Sequence, residues 1–143
     1  MTCGEAVRAF VATLTPVTTL VSGRIFLTYL PQAPEPAKLP CILVQQIDDV
    51  QQPHLRGTIG MKVARIQVDC VGVTMAQTRA VDQAVMGDYL NGAPTGLRGI
   101  SGVSSGGVTF HQALADNYFE QIATDELHYQ KRVTRDYRIW YDG

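Results

Sequence analysis

The sharpest chemical pattern in the sequence is Gly102-Val103-Ser104-Ser105-Gly106, a match to Gly-x-Ser-x-Gly. A nucleophile elbow sets that serine on a tight turn between a strand and a helix, so that its hydroxyl stands clear of the backbone. Asp116 or Asp125, and then His128, follow in the chain order of a hydrolase triad. The flanking residues read differently. Gly107-Val108-Thr109-Phe110 looks like strand rather than helix, and a stretch this rich in Gly and Ser yields the pattern by composition alone. A small serine hydrolase built on Ser104 is the distant enzymatic alternative.

Metal and phosphate chemistry is no better supplied. His54, His111 and His128 are scattered, and Asp125-Glu126-Leu127-His128 lacks the two-histidine helical spacing of a zinc protease. Cys3, Cys41 and Cys70 are odd in number and have no Cys-x-x-Cys pair, which reads as buried free thiols rather than a disulfide framework. Asp48-Asp49 sits at a strand end, where carboxylates meet water. No glycine-rich loop ends in Gly-Lys-Ser/Thr, and no Gly-x-Gly-x-x-Gly joins a strand to a helix. The expectation is a chain with no catalytic residue, no cofactor and no metal.

Charge is more informative. Twelve Lys and Arg against 13 Asp and Glu give a net charge of −1. That balance argues neither for DNA as the main partner nor for an anionic membrane surface. Between Gly99 and Gln130 there is no Lys or Arg, while Asp116, Glu120, Asp125 and Glu126 accumulate. Lys131, Arg132, Arg135 and Arg138 then arrive within eight residues, opposed only by Asp136. These are either two solvated faces or an acidic patch that meets the basic strand of a neighbouring subunit. On the second reading Asp116, Glu120, Asp125, Glu126, Lys131, Arg132 and Arg135 are candidate subunit-interface residues.

The elements that carry these residues follow from periodicity. The 143 residues, 45% hydrophobic, fit one domain, 1–143, with a real core. No apolar run approaches the roughly 20 residues that cross a bilayer, and Glu5 and Arg8 inside the first apolar stretch make it unlike a secretory signal. Val7, Phe10, Val11 and Leu14 have the spacing of one buried helical face. Pro16 opens a further short turn with Thr15 as its cap, and Gly23 ends it. Arg24–Leu30 and Cys41–Asp48 read as strands on either side of a proline-rich arm, 31–40, with a polar loop after them to about Gly60. Ala64, Ile66, Val68 and Cys70 alternate with Arg65, Gln67 and Asp69, a strand with one covered face. Thr74 and Gln77 form a capping box for a helix to about Leu90, with Ala76, Ala80, Val81, Ala84 and Val85 inward and Arg79, Asp82 and Gln83 outward. A mobile Gly/Ser-rich loop, 92–107, precedes strands near Val108–Leu114, Tyr118–Ala123 and Tyr129–Tyr141, the last with Val133, Tyr137, Ile139 and Tyr141 on one face and Arg132, Thr134, Arg138 and Trp140 on the other. The sum is α+β: a mainly antiparallel sheet with two main helices, near 4–14 and 74–90, packed on one face.

Leu20-Val21-Ser22-Gly23-Arg24-Ile25, Leu30-Pro31-Gln32 and Pro40-Cys41-Ile42 resemble the opening of the siphophage tail-completion (tail-terminator) family. Arg65-Ile66-Gln67-Val68-Asp69-Cys70 with Thr74 and its alanine-rich helix resembles that family's central strand and helix, and Tyr137-Arg138-Ile139-Trp140-Tyr141 its final strand. Two departures stand out. Val71-Gly72-Val73-Thr74-Met75 lacks the aromatic often found before the long helix, and the 92–107 loop is peculiar to this chain. The resemblance implies a ring-forming subunit of the virion neck, usually six copies, assembled in the host cytoplasm. Such a ring caps the head-proximal end of the tail tube, stops its polymerisation and joins tail to head. Its partners are further copies of itself, the tail tube protein and a head-completion or connector protein, with DNA only passing through the lumen. A connector subunit of the same neck is the alternative.

Overall fold

The computed structural model describes residues 2–28, 40–54, 57–87, 89–90, 93–98, 100–122 and 131–143. Helix α1, Cys3–Val11, starts at a capping box in which Thr2 Oγ1 accepts from the Glu5 amide and Glu5 accepts from the Thr2 amide. Helix α2, Thr15–Val21, has Leu14 at its N-cap without a side-chain bond, so Thr15 lies inside the helix instead of capping it. Ser22 and Gly23 follow in left-handed conformations, which turns the chain into β1, Ile25–Leu27.

A six-stranded sheet dominates. Strands β2 (Cys41–His54), β3 (Gly57–Gly72), β7 (Val108–Ile122) and β8 (Lys131–Asp142) are long; β1 and β6 (Val103–Ser105) are short. The order is β1-β2-β3-β8-β7-β6, antiparallel throughout except that β1 runs parallel to β2. The polar loop expected from 49 to 60 is therefore mostly a continuation of β2 and β3, paired as far as His54 and Gly57. Composition misled here: Pro53, Gly57 and Gly60 punctuate a sequence that sheet pairing nevertheless holds extended. Likewise the two expected strands around 108–123 are one, bent by bulges between Phe110 and Gln112 and between Ala115 and Tyr118.

Helix α3, Met75–Met86, is capped by Thr74 as expected. It ends four residues early. Gly87, at φ +68°, closes it, and Tyr89–Leu90 (β4) instead pairs with Ala93–Pro94 (β5). The reason is a close approach: a Cβ at Gly87 would stand 2.3 Å from the Gly96 amide nitrogen, and one at Gly96 2.5 Å from the Val85 carbonyl oxygen. That contact turns the chain back, and Leu97 and Ile100 enter the core. The segment expected to be a mobile loop is thus anchored in its described middle, and β6 occupies part of its end.

The helices cover one face of the sheet. Val7, Val11, Val17, Val21, Val81 and Val85 pack with Ile42, Val44, Ile66, Val68, Tyr137 and Ile139 in one buried cluster. The Ala64/Ile66/Val68/Cys70 face and the Val133/Tyr137/Ile139/Tyr141 face were both legible from alternation, and all eight are buried. Of the alanines expected in the α3 stripe, Ala84 packs half-buried against the cluster, but Ala76 and Ala80 are exposed, and Thr78 and Asp82 are buried in their stead. The opposite face of the sheet is only partly open, since Cys41, Leu43, Val71, Asp69, Thr134 and Asp136 on it are buried.

Candidate functional site

Ser104 lies inside the β6–β7 hairpin, opposite Thr109, with the two hydroxyls 3.1 Å apart. Gly106 and Gly107, at φ +58° and +82°, make the two-residue turn between Ser105 and Val108. The second glycine of the Gly-x-Ser-x-Gly match thus serves a hairpin turn, and Ser104 sits within a strand pair rather than on a strand-to-helix elbow. Asp125, Glu126 and His128 lie outside the described residues. Among the described residues, no group of three or more His, Cys, Asp or Glu is placed to hold a metal ion. A shallow groove of about 420 Å³ between α2 and α3, near Pro16, Ala84 and Gly87, gathers no carboxylate, histidine or cysteine among the described residues.

The charged residues form the more organised constellation. The acidic and basic segments occupy adjacent antiparallel strands, β7 and β8, so much of their complementarity is used within one chain. Arg135 points to the helix face. Its Nε and Nη2 donate to Asp82 Oδ1 and Oδ2 at 3.0 and 2.8 Å, and its guanidinium lies 4.5 Å from the Tyr118 ring centre. Asp82, expected outside, is 2% exposed because this pair pulls it in. On the same face Arg79 donates to both oxygens of Glu120 at 2.7 and 2.9 Å, and the Tyr118 hydroxyl donates to Glu120 at 2.6 Å. Those donors hold the Glu120 carboxyl down at about 2.

On the opposite face, Arg65 Nη2 donates to Asp136 Oδ2 at 2.6 Å and Arg132 Nη1 to Asp69 Oδ2 at 3.3 Å. Asp136 Oδ1 is buried without a partner. Arg138 and Asp116, both about half exposed, meet at 3.3 Å. Thr78 Oγ1 donates to the Lys131 carbonyl at 3.3 Å, tying α3 to the start of β8. Of the seven candidate interface residues, then, Arg135 is turned inward, Glu120, Asp116 and Arg132 are paired in the chain, Lys131 is half-buried, and Asp125 and Glu126 lie outside the described residues. Missed by periodicity is the apolar content of the exposed surface: Ile47, Val50, Leu114, Tyr118 and Phe119 are each at least 40% exposed. The strand-like pattern at 108–123 was the available signal, since a two-sided apolar strand at a sheet edge cannot bury both faces.

The buried thiols are chemically quiet. Burial raises the Cys3 thiol to about 12 and Cys41 to about 11, and lifts Cys70 as well.

No protein-family model matches the chain, and no curated protein does. Among solved structures, a chain of the virion of the native gene transfer agent (GTA) particle superposes with a TM-score of 0.73 over 99% of this chain and 95% of that one. The two are 12% identical. The likeness extends to the whole fold, end to end.

Proposed function

We propose that this chain is a virion structural protein, and specifically a tail terminator: a ring of six copies that caps the head-proximal end of the tail tube and joins it to the head. The observation that carries the reading is the end-to-end likeness to a chain of the GTA virion. The family resemblance of the opening, central and closing segments adds the finer role. The exposed apolar strands are what a subunit made for assembly would display. Its partners are its own copies, the tail tube protein and a connector; DNA passes through the lumen unread, in keeping with the near-neutral charge. A connector subunit of the same neck has the same supports and differs in where it docks.

Electron microscopy of the purified protein, alone and mixed with tail tubes, tests the proposal. A ring that seats on one end of each tube is expected. Rings that bind heads and ignore tubes would favour the connector reading, and a monomer inert to both would remove the proposal.

A further inference from the structure

Two long stretches of the sheet's edges have no described strand against them. β6 covers β7 only at Val108–Phe110, so no described strand covers the outer edge onward to Ile122. β1 covers β2 only at Ile42–Val44, leaving Gln45 to His54. Such an edge is a row of unpaired backbone donors and acceptors, a template for another strand.

Direction suits these edges to each other. β2 to β3, β3 to β8 and β8 to β7 are all antiparallel, so β2 and β7 run oppositely. A copy related by rotation about a ring axis sets its β2 antiparallel to the first copy's β7, and the alternation continues. Position suits them too. The midpoint of β7's uncovered stretch, Asp116–Asn117, lies in line with Asp136, Gln67 and Gln45, whereas the midpoint of β2's is near Asp49, four residues farther along. Four strands about 4.8 Å apart, tilted by about 35–45° as closed sheets require, advance by roughly 13–19 Å, or about 4–6 residues, per copy. The stagger that closure needs is the stagger at which the two edges coincide.

The bend of the sheet agrees. α1 touches β1 and β2 at one end and β6 at the other, with Phe10 and Phe110 rings edge-on at 6.1 Å. The two covered corners therefore curl over the helices. In a twisted sheet the other two corners bend the opposite way, toward the face without helices. Joined through those corners, copies curve with the helices outside and the bare face inside. Both edges are acidic, but each carboxylate already has a partner at home: Asp116 has Arg138, Glu120 has Arg79, Asp49 the Tyr141 hydroxyl, and Asp48 faces Arg65 across the strand pair.

Resting on the ring reading above, we propose that the ring closes by strand addition, β7 of one copy pairing antiparallel with β2 of the next. One continuous sheet then runs around the ring, with Arg65, Arg138 and Trp140 facing the lumen. At the four-residue stagger Phe119 stands opposite Ile47 of the neighbouring copy.

Within one chain β3 and β8 separate these positions, beyond the roughly 7 Å Cα reach of a disulfide, so a bond between them joins two copies. The full chain carrying Ile47→Cys and Phe119→Cys, with the neighbouring registers Gln45→Cys/Phe119→Cys and Asp49→Cys/Phe119→Cys, is oxidised alone and on tail tubes. Denaturing gels should show a ladder of covalent oligomers that stops at the ring number, strongest for one register and absent from either single variant. Rings seen by native mass spectrometry without a ladder in any register would overturn strand addition while sparing the ring; a product that stops at two copies would also overturn it. No ring under either condition would remove the ring reading, and this inference with it.

Discussion

Arg135 and Arg138 sit three residues apart on one strand, and the sheet's alternation gives them opposite fates. Arg135 is 13% exposed and bonded twice to a carboxylate that is 2% exposed; Arg138 is 55% exposed against a half-exposed partner. Arg135→Ala strands the Asp82 charge inside and should cost about 3–5 kcal/mol. Arg138→Ala should cost about 0–1 kcal/mol. Denaturant melts of the two variants check the order. Reversing charge at Arg135 to probe assembly would therefore test folding as well, as would reversal at Arg132, whose partner Asp69 is buried; Arg138, paired at the surface with Asp116, is the cleaner probe. Glu120 supplies a pH test. Arg79 and Tyr118 lower its pKa from 4.5 to about 2, so its folded value lies below its unfolded one. Its contribution is complete above about 4.5 and disappears as pH falls toward 2. A carboxyl titration by NMR should give a midpoint near 2 for Glu120, moving up toward 4.5 in Arg79→Ala. At this scale the sequence showed which charges cluster but not which pair, because Asp82 and Arg135 are 53 residues apart and meet only once α3 lies on β8.

Among the elements, what was readable is what repeats. Alternation in β3 and β8 and the Thr74 cap of α3 are local signals, and each matched the fold. Ile66→Ala should cost about 2–5 kcal/mol by thermal or denaturant unfolding, because Ile66 is fully buried in the main cluster beneath α3. What was unreadable depends on distant contact. Residues 51–54 and 57–60 look like loop yet extend a hairpin, and the end of α3 is decided by Gly96, nine residues after Gly87. Gly96→Ala should destabilise by about 1–3 kcal/mol, since its Cβ would press on the Val85 carbonyl at 2.5 Å and neither backbone can yield cheaply. A Gly96→Ala variant as stable as the parent would mean that this turn is not what stops the helix.

For the whole molecule, the sheet is long, twisted and incompletely edged, and its helices occupy one face. A subunit with these properties has its core settled internally and its association left to edges and exposed apolar strands. The ion pairs described among the candidate interface residues close within the chain, so on the strand-addition proposal contact with neighbours falls to the outer side of β7 and the part of β2 that no described strand covers. A tube that grows by adding identical rings needs an end piece with a matching lower face and a non-propagating upper one, and the terminator reading assigns this chain that place. Deletion from the phage that this reading assigns it to, followed by electron microscopy of the particles, tests that assignment most directly. Intact heads with separate tails, abnormally long, are expected. Tails of normal length that merely fail to join would point to the connector role, and tails of normal length joined to heads would contradict the account.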